Sequence, residues 1–169
     1  MWQMLRQIFR TGLVTQSPPA GNPSMLETAL RTEIQSVFGR AMCIRHVDAG
    51  SCNGCELEIH ALANPFYDLE RFGFHFVASP RHADVLTVTG PVTRNMREAL
   101  QRTYAAMPAP KWVVALGGCA LDGGCFAGSY AVIGGVSAVI PVDLHVPGCP
   151  PGPLDILRGL LALMQSANA

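Results

Sequence analysis

Cysteines are the residues of this sequence whose type and spacing could do chemistry. Cys52 and Cys55 are two residues apart, and Gly54 between them lets the backbone bend so that two thiolates can grip one metal centre. Cys119 and Cys149 lie far along the chain, each in a Gly-containing loop. The four thiols make a complete set for one [4Fe–4S] cube, which needs one thiolate for each iron.

Other interpretations of the cysteines stay open at this point. The close pair would also suit a thioredoxin-type redox pair, but that interpretation leaves Cys119 and Cys149 without a role. It would also suit half of a zinc site, although structural zinc more often uses a second close pair of ligands. Pro150 favours the cluster, because Cys followed by Pro occurs in known cluster-binding runs. Cys43 lies in an apolar run and is expected in the core. Cys125, in a Gly-rich loop, has no assigned role.

The four cysteines follow segments that are typical of a layered α/β fold. The predicted strands are Met42–Val47, Phe74–Ala78, Val85–Thr89, Trp112–Leu116 and Val139–Val142. The predicted helices between and after them are Glu56–Ala63, Thr93–Ala106 and Leu154–Met164. This alternation predicts a flavodoxin-like, doubly wound parallel sheet. In such sheets ligands bind outside the carboxyl ends of the strands, so we expect the cysteine loops to meet there and bind the cluster.

The first part of the chain has a different pattern. Residues 1–15 place apolar side chains at helical spacing, which predicts a short basic amphipathic helix. Such a helix would lie on a membrane surface, dock on a partner or pack on its own domain. Residues 16–24 hold three Pro and read as a linker, and a helix is predicted over residues 25–38. We therefore expect an N-terminal segment and linker over 1–24 and a single [4Fe–4S]-binding α/β domain over 25–169.

Composition narrows the class of protein. Twelve basic residues balance twelve acidic ones, so nothing gives the positive field that would attract nucleic acid. Only 14% of the 169 residues are charged, which indicates a surface partly covered by other subunits. No run approaches the roughly 20 apolar residues of a membrane span, and the start lacks the order of a secretory signal. The expected compartment is the cytoplasm, where thiols stay reduced.

Four ordered motifs resemble a known family: DAGSCNGCELEI (48–59), SPRHADVLTVTGPVT (79–93), GGCALDGG (117–124) and PVDLHVPGCPPGP (141–153). Over about residues 40–165 the chain resembles the 20-kilodalton subunit of respiratory complex I. It resembles more closely the small subunit of group 4 membrane-bound [NiFe] hydrogenases of the formate hydrogenlyase type. Complex I subunits carry two adjacent cysteines in the first motif, whereas Asn53 and Gly54 separate the pair here, as in the hydrogenase branch.

This resemblance implies an electron-transfer subunit of a membrane-associated [NiFe] hydrogenase, with one proximal [4Fe–4S] cluster on the four cysteines. The nickel–iron site would lie in a large partner subunit similar to the 49-kilodalton subunit of complex I. A ferredoxin-like iron–sulfur subunit and integral membrane subunits are the other implied partners, at the cytoplasmic face of the inner membrane. Cys125 falls where relatives have an apolar residue, so it is left out of the ligand set.

Three alternative functions stay open. The first is a subunit of NADH-quinone oxidoreductase (complex I) that lines a quinone pocket, and the second is a hydrogenase-related complex that lacks its nickel–iron site. The third is a zinc-stabilised interaction module, in which the cysteines would hold zinc instead of a cluster.

Four further side chains are candidates for roles beside the cluster. Glu56 and Glu58 flank the cysteine loop and would relay protons if burial raised their pKa, or else serve the dipole of the following helix. By the resemblance, both branches of the family have an acid at Glu58. Arg81 and His82 are candidates for tuning the cluster potential, with a loop-capping surface Arg as the alternative.

Overall fold

A parallel β-sheet forms the centre of the molecule. The computed structural model describes residues 28, 29, 32 and 41–167. Its strands are β1 (Met42–Asp48), β2 (Phe74–Phe76), β3 (Val85–Thr89), β4 (Val92–Thr93), β5 (Trp112–Leu116), β6 (Val132–Gly134) and β7 (Leu144–Val146). Five of them pair in parallel in the order β2-β1-β3-β5-β7, while β4 and β6 form a separate antiparallel pair. This order is that of a flavodoxin-like sheet.

Helices cover both faces of the sheet. They are α1 (Gly54–Leu62), α2 (Arg94–Ala106), α3 (Gly118–Asp122) and α4 (Pro153–Ala167). Short 3-10 turns occupy Leu69–Phe72, Pro80–His82, Gly124–Phe126 and Val136–Ala138. Within the described part of the chain, every helix falls short of the length and apolarity that a bilayer span requires.

Each face of the sheet has its own apolar core. On one face α1 and α4 pack through residues such as Leu62 and Leu160 against Ile44 of β1. On the other face Leu100 of α2 lies with Val88 of β3 in a second buried cluster. All five residues of β3 are buried. Because successive side chains point to opposite faces of a strand, this means that both faces of β3 are covered. The continuous apolar runs in the sequence are therefore explained by burial on both faces.

Aspartates close the amino ends of neighbouring strands. Asp84 lies just before β3, and its side chain accepts a hydrogen bond from the backbone N–H of Cys43 on β1 at 2.9 Å. Asp143 lies just before β7, and its side chain accepts one from Val113 of β5 at 2.7 Å. These two hydrogen bonds, which we call the aspartate clips, hold neighbouring strands together at the end of the sheet opposite to the cysteine loops.

The fold class is confirmed, and four of the five predicted strands and all three predicted helices from residue 41 onward are present. The exception is the strand predicted at Val139–Val142. That segment is irregular, because it follows the 3-10 turn at Val136–Ala138 and contains Pro141, which has no N–H for a ladder. The fifth strand is instead Leu144–Val146, which pairs with Val114–Leu116 of β5. The helix predicted over 1–15, the linker over 16–24 and most of the helix predicted over 25–38 lie outside the described residues.

Candidate metal centre

The first cysteine loop leaves the carboxyl end of β1. The Asp48 side chain accepts hydrogen bonds from the N–H groups of Gly50 at 2.8 Å and Ser51 at 2.7 Å, which turns the chain sharply after the strand. Burial alone would raise the pKa of Asp48, but these N–H groups outweigh it and hold the pKa below its ordinary value. Asn53 then adopts a left-handed conformation and begins α1, so Cys52 lies on the loop and Cys55 in the first turn of the helix.

The second cysteine loop leaves β5. Gly117 has φ +88°, and a Cβ atom there would lie 2.8 Å from Cys55 Sγ. Cys119 follows in α3, and a Cβ on Gly124 (φ +52°) would lie 2.6 Å from Cys119 Sγ. Glycine at both positions therefore keeps space beside the two sulfurs that any side chain would fill.

The third cysteine loop leaves β7 and is tied to the second. The Gly118 N–H donates to the Gly148 carbonyl at 2.8 Å, and the Gly117 N–H donates to the Val146 carbonyl at 2.9 Å. Gly148 has φ +141°, and a Cβ there would meet the Pro151 backbone at 2.5 Å. These contacts hold Cys149 beside the loop that carries Cys119.

The structure brings the four predicted ligands to one place. Cys52, Cys55, Cys119 and Cys149 line a single cavity of about 80 Å³ with Ser51, Pro150 and four glycines. Cys52 and Cys149 are exposed, whereas Cys55 and Cys119 are half-buried. That the four thiols bind a cluster stays a prediction.

The thiols in this cavity act on one another. Burial raises the pKa of Cys55 to about 11, and the neighbouring Glu56 carboxylate and the other three thiols add to the rise. Burial likewise raises the pKa of Cys119, with Cys125 and Cys149 contributing. Four thiolates at this spacing therefore need bound cations to offset their repulsion, which is the chemistry of a metal–thiolate site.

Two kinds of metal group take four thiolate ligands, and they differ in the geometry that they require. Among the described residues, no three or more His, Cys, Asp or Glu side chains form a group that could hold a metal ion. A structural zinc ion needs four ligands about 2.0–2.3 Å from one point. A [4Fe–4S] cube instead takes each thiolate at a different iron, so its ligands surround a larger body. Four cysteines around a glycine-lined cavity fit the cube on this criterion.

Of the other candidates, only Glu56 is buried beside the cysteines. It is 8% exposed, and its Oε1 accepts a hydrogen bond from the Thr89 hydroxyl. Glu58 is half-buried on the same helix. Arg81 and His82 are exposed on the 3-10 turn at Pro80–His82, and the lining of the cavity does not include them. The relay role of the two acids and the tuning role of Arg81 and His82 stay predictions.

The remaining cysteines occupy different environments. Cys43 is a half-buried strand residue, less enclosed than the core position expected for it. Cys125 is exposed in the 3-10 turn after α3, and its thiol contributes to the raised pKa of Cys119, a proximity that sequence reasoning missed. The polar contact between Thr89 and Glu56 was also missed. The sequence does contain a signal for a polar contact here, since Thr87 and Thr89 alternate with apolar residues in β3 and therefore lie on one face of the strand.

The fold and the cavity define a flavodoxin-like α/β protein with four cysteines on the loops at one edge of its sheet. Residues 52–163 match the family described as NADH ubiquinone oxidoreductase, 20 Kd subunit. The chain belongs to this family, and the resemblance inferred from the four motifs is confirmed.

Relatives in the family are subunits of oxidoreductase complexes. The chain is 47% identical over 128 residues to the probable membrane-bound hydrogenase subunit mbhJ of Pyrococcus furiosus, covering 76% of this chain and 77% of the relative. It is 44% identical over 131 residues to formate hydrogenlyase subunit 7 of Escherichia coli, covering 78% of this chain and 51% of the relative. A solved relative is the structure of the membrane-bound sulfane sulfur reductase, an archaeal respiratory membrane complex. It matches with a TM-score of 0.67 and 31% identity over 87% of this chain and 76% of that chain.

Proposed function

We propose that this chain is the electron-transfer small subunit of a membrane-associated [NiFe] hydrogenase complex and holds the proximal [4Fe–4S] cluster. The observation that carries the proposal is the meeting of Cys52, Cys55, Cys119 and Cys149 around one cavity, although they come from three separate loops. Two relatives support the choice of complex: one is named as a probable membrane-bound hydrogenase subunit (47% identity) and the other as a formate hydrogenlyase subunit (44% identity). When bound, such a cluster accepts and donates single electrons.

The residues of this chain prepare the site in two ways. The turn that Asp48 stabilises sets the position of Cys52 ahead of α1. Gly117 and Gly124 keep side chains away from the sulfurs of Cys55 and Cys119.

The hydrogen chemistry belongs, in this proposal, to a large partner subunit that carries the nickel–iron site. The ferredoxin-like and integral membrane partners complete the complex at the cytoplasmic face of the membrane. Several large apolar side chains near the cysteine loops support such docking, since Leu57 on α1 is 61% exposed and Leu121 on α3 is 51% exposed. Tyr130, between α3 and β6, is 90% exposed.

A second candidate is a complex of the same family that acts on another substrate. The solved relative from a membrane-bound sulfane sulfur reductase favours it. The chain would then hold the same cluster but transfer electrons to or from a different active site. The sequence of the large subunit encoded with this chain separates the candidates, because a [NiFe] site needs two CxxC pairs and the second candidate does not.

The test of the proposal is the metal content of the full chain purified without oxygen. About four irons and four acid-labile sulfides per chain are expected, because one cube takes four thiolates. Electron paramagnetic resonance (EPR) of the dithionite-reduced sample should show a single cluster. A colourless chain that binds zinc and no iron would overturn the proposal.

A further inference from the structure

A buried carboxylate lies directly beside the proposed cluster ligands. Glu56 follows Cys55 in the first turn of α1 and is 8% exposed. Its Oε1 accepts the Thr89 hydroxyl hydrogen bond. Its Oε2 is buried and has no hydrogen-bond partner among the described residues. A buried acid with one bonded and one unbonded oxygen is costly to keep, which suggests that it serves the site.

Two neighbouring strands direct hydrogen bonds toward this carboxylate. Thr89 of β3 has one hydroxyl proton and donates it to Glu56. His46 of β1 places Nε2 3.4 Å from the same hydroxyl oxygen, and when Thr89 donates to Glu56 the ring N–H is the donor in that contact. Its Nδ1 lies 3.2 Å from the Thr87 hydroxyl. Donors arranged in this direction stabilise negative charge on the acceptor.

The charge of Glu56 is not cancelled by the histidine. Burial lowers the pKa of His46 below its ordinary value, and this outweighs the opposing effect of Glu56 and Asp48. The ring is therefore neutral at neutral pH, and its 3.8 Å approach to Glu56 Oε1 is not an ion pair.

We propose that Glu56 is the fixed negative group that lowers the reduction potential of the bound cluster, with Thr89 and His46 as its positioning residues. The inference rests on the proposed function, because it concerns the [4Fe–4S] cluster. Reduction adds one electron and hence one negative charge to the cluster. A carboxylate in the same low-dielectric surroundings opposes that added charge.

The experiment measures the midpoint potential of the cluster in the full chain, reconstituted without oxygen from ferrous iron and sulfide. Dithionite supplies the electrons, and EPR follows the reduced cluster. For Glu56→Gln, which removes the charge at nearly constant shape, we expect a more positive midpoint. A tenfold change in the reduction equilibrium corresponds to 59 mV for one electron, and we expect a shift of about that size.

Variants of Thr89 test the positioning. Thr89→Val removes the hydroxyl that holds Glu56, so we expect a smaller shift in the same direction, while Thr89→Ser should restore the midpoint of the parent chain. Glu98→Gln is the matched control for loss of a carboxylate. Glu98 is exposed on α2 and pairs with Arg102, so its removal should leave the midpoint unchanged.

The outcomes separate this inference from the proposed function. A parent chain that binds no cluster overturns both. Full iron content with an unchanged midpoint in Glu56→Gln overturns only the tuning role. Should Glu56→Gln fail to bind iron, the Thr89 pair decides, because a Thr89→Val midpoint equal to that of the parent also overturns the inference. A positive shift in Thr89→Val that Thr89→Ser restores supports it.

Discussion

The two ends of the central sheet are built in opposite ways. At the carboxyl ends, each of β1, β3, β5 and β7 is followed within two residues by a glycine with positive φ: Gly50, Gly90, Gly117 and Gly148. At the amino ends, Asp84 and Asp143 clip neighbouring strands together. The amino end of the sheet is therefore closed by carboxylate hydrogen bonds. The carboxyl end is open, because the glycines there have no side chain to fill the space.

This difference explains why a cysteine has different surroundings at the two ends. A thiol on the carboxyl-end loops lies among glycines, faces a cavity and acts on other thiols. Cys43, near the amino end of β1, takes part in the strand ladder, and its backbone N–H is held by Asp84. The position of a cysteine in the sheet, more than its residue type, therefore separates a candidate ligand from a structural residue.

The largest effect is expected at the open end, from Cys149→Ser. The exposed Cys149 completes the set of four, and a serine hydroxyl is a harder and poorer ligand for an iron–sulfur cluster than a thiolate. We expect a several-fold loss of iron and sulfide per reconstituted chain, with loss of the EPR signal. Full iron content in this variant would show that the fourth ligand was wrongly chosen.

A smaller loss is expected from Gly117→Ala. Its Cβ would lie 2.8 Å from Cys55 Sγ, and φ is +88°, so the variant both strains the backbone and crowds a ligand. Strain of this kind costs about 1–3 kcal/mol. We expect reduced iron occupancy after reconstitution, together with a lower free energy of unfolding measured in urea.

Gly128→Ala is the matched control for that variant. Gly128 has φ +80°, but a Cβ there would meet nothing within 4 Å. It should therefore lower the free energy of unfolding to a similar extent and leave iron content unchanged. Equal loss of iron in both alanine variants would mean that backbone strain, and not the space beside the sulfur, controls assembly.

Most of the sheet, and the meeting of the cysteine loops at one end of it, could be predicted from the sequence. The apolar runs of β3 and β5 are buried on both faces, so their patterns were strong and their positions were right. The rule that ligands collect at the carboxyl ends of strands was sufficient to place the three cysteine loops together. The fifth strand of the sheet was predicted at the wrong place because the segment Val139–Val142 is as apolar as a strand. Leu144–Val146 is distinguished from that segment only by its pairing with β5, which the sequence does not show.

The polar side of the site was harder to predict because it depends on tertiary packing. Thr89 pairs with Asp48 across β1 and β3, and α1 then brings Glu56 over the same face. No local pattern encodes the contact between residues 33 positions apart. The Asp84 and Asp143 clips likewise depend on strand order, although an aspartate just before each strand is visible in the sequence.

The smallest effect is expected from Cys43→Ala, at the closed end. Asp84 holds the backbone N–H of this residue, and alanine keeps that group, so the clip should survive. Loss of a half-buried thiol should change the free energy of unfolding by less than about 1 kcal/mol, and iron content should equal that of the parent chain. Iron loss comparable to that of Cys149→Ser would break the comparison, because a thiol at the amino end of β1 would then be needed by a site at the opposite end of the sheet.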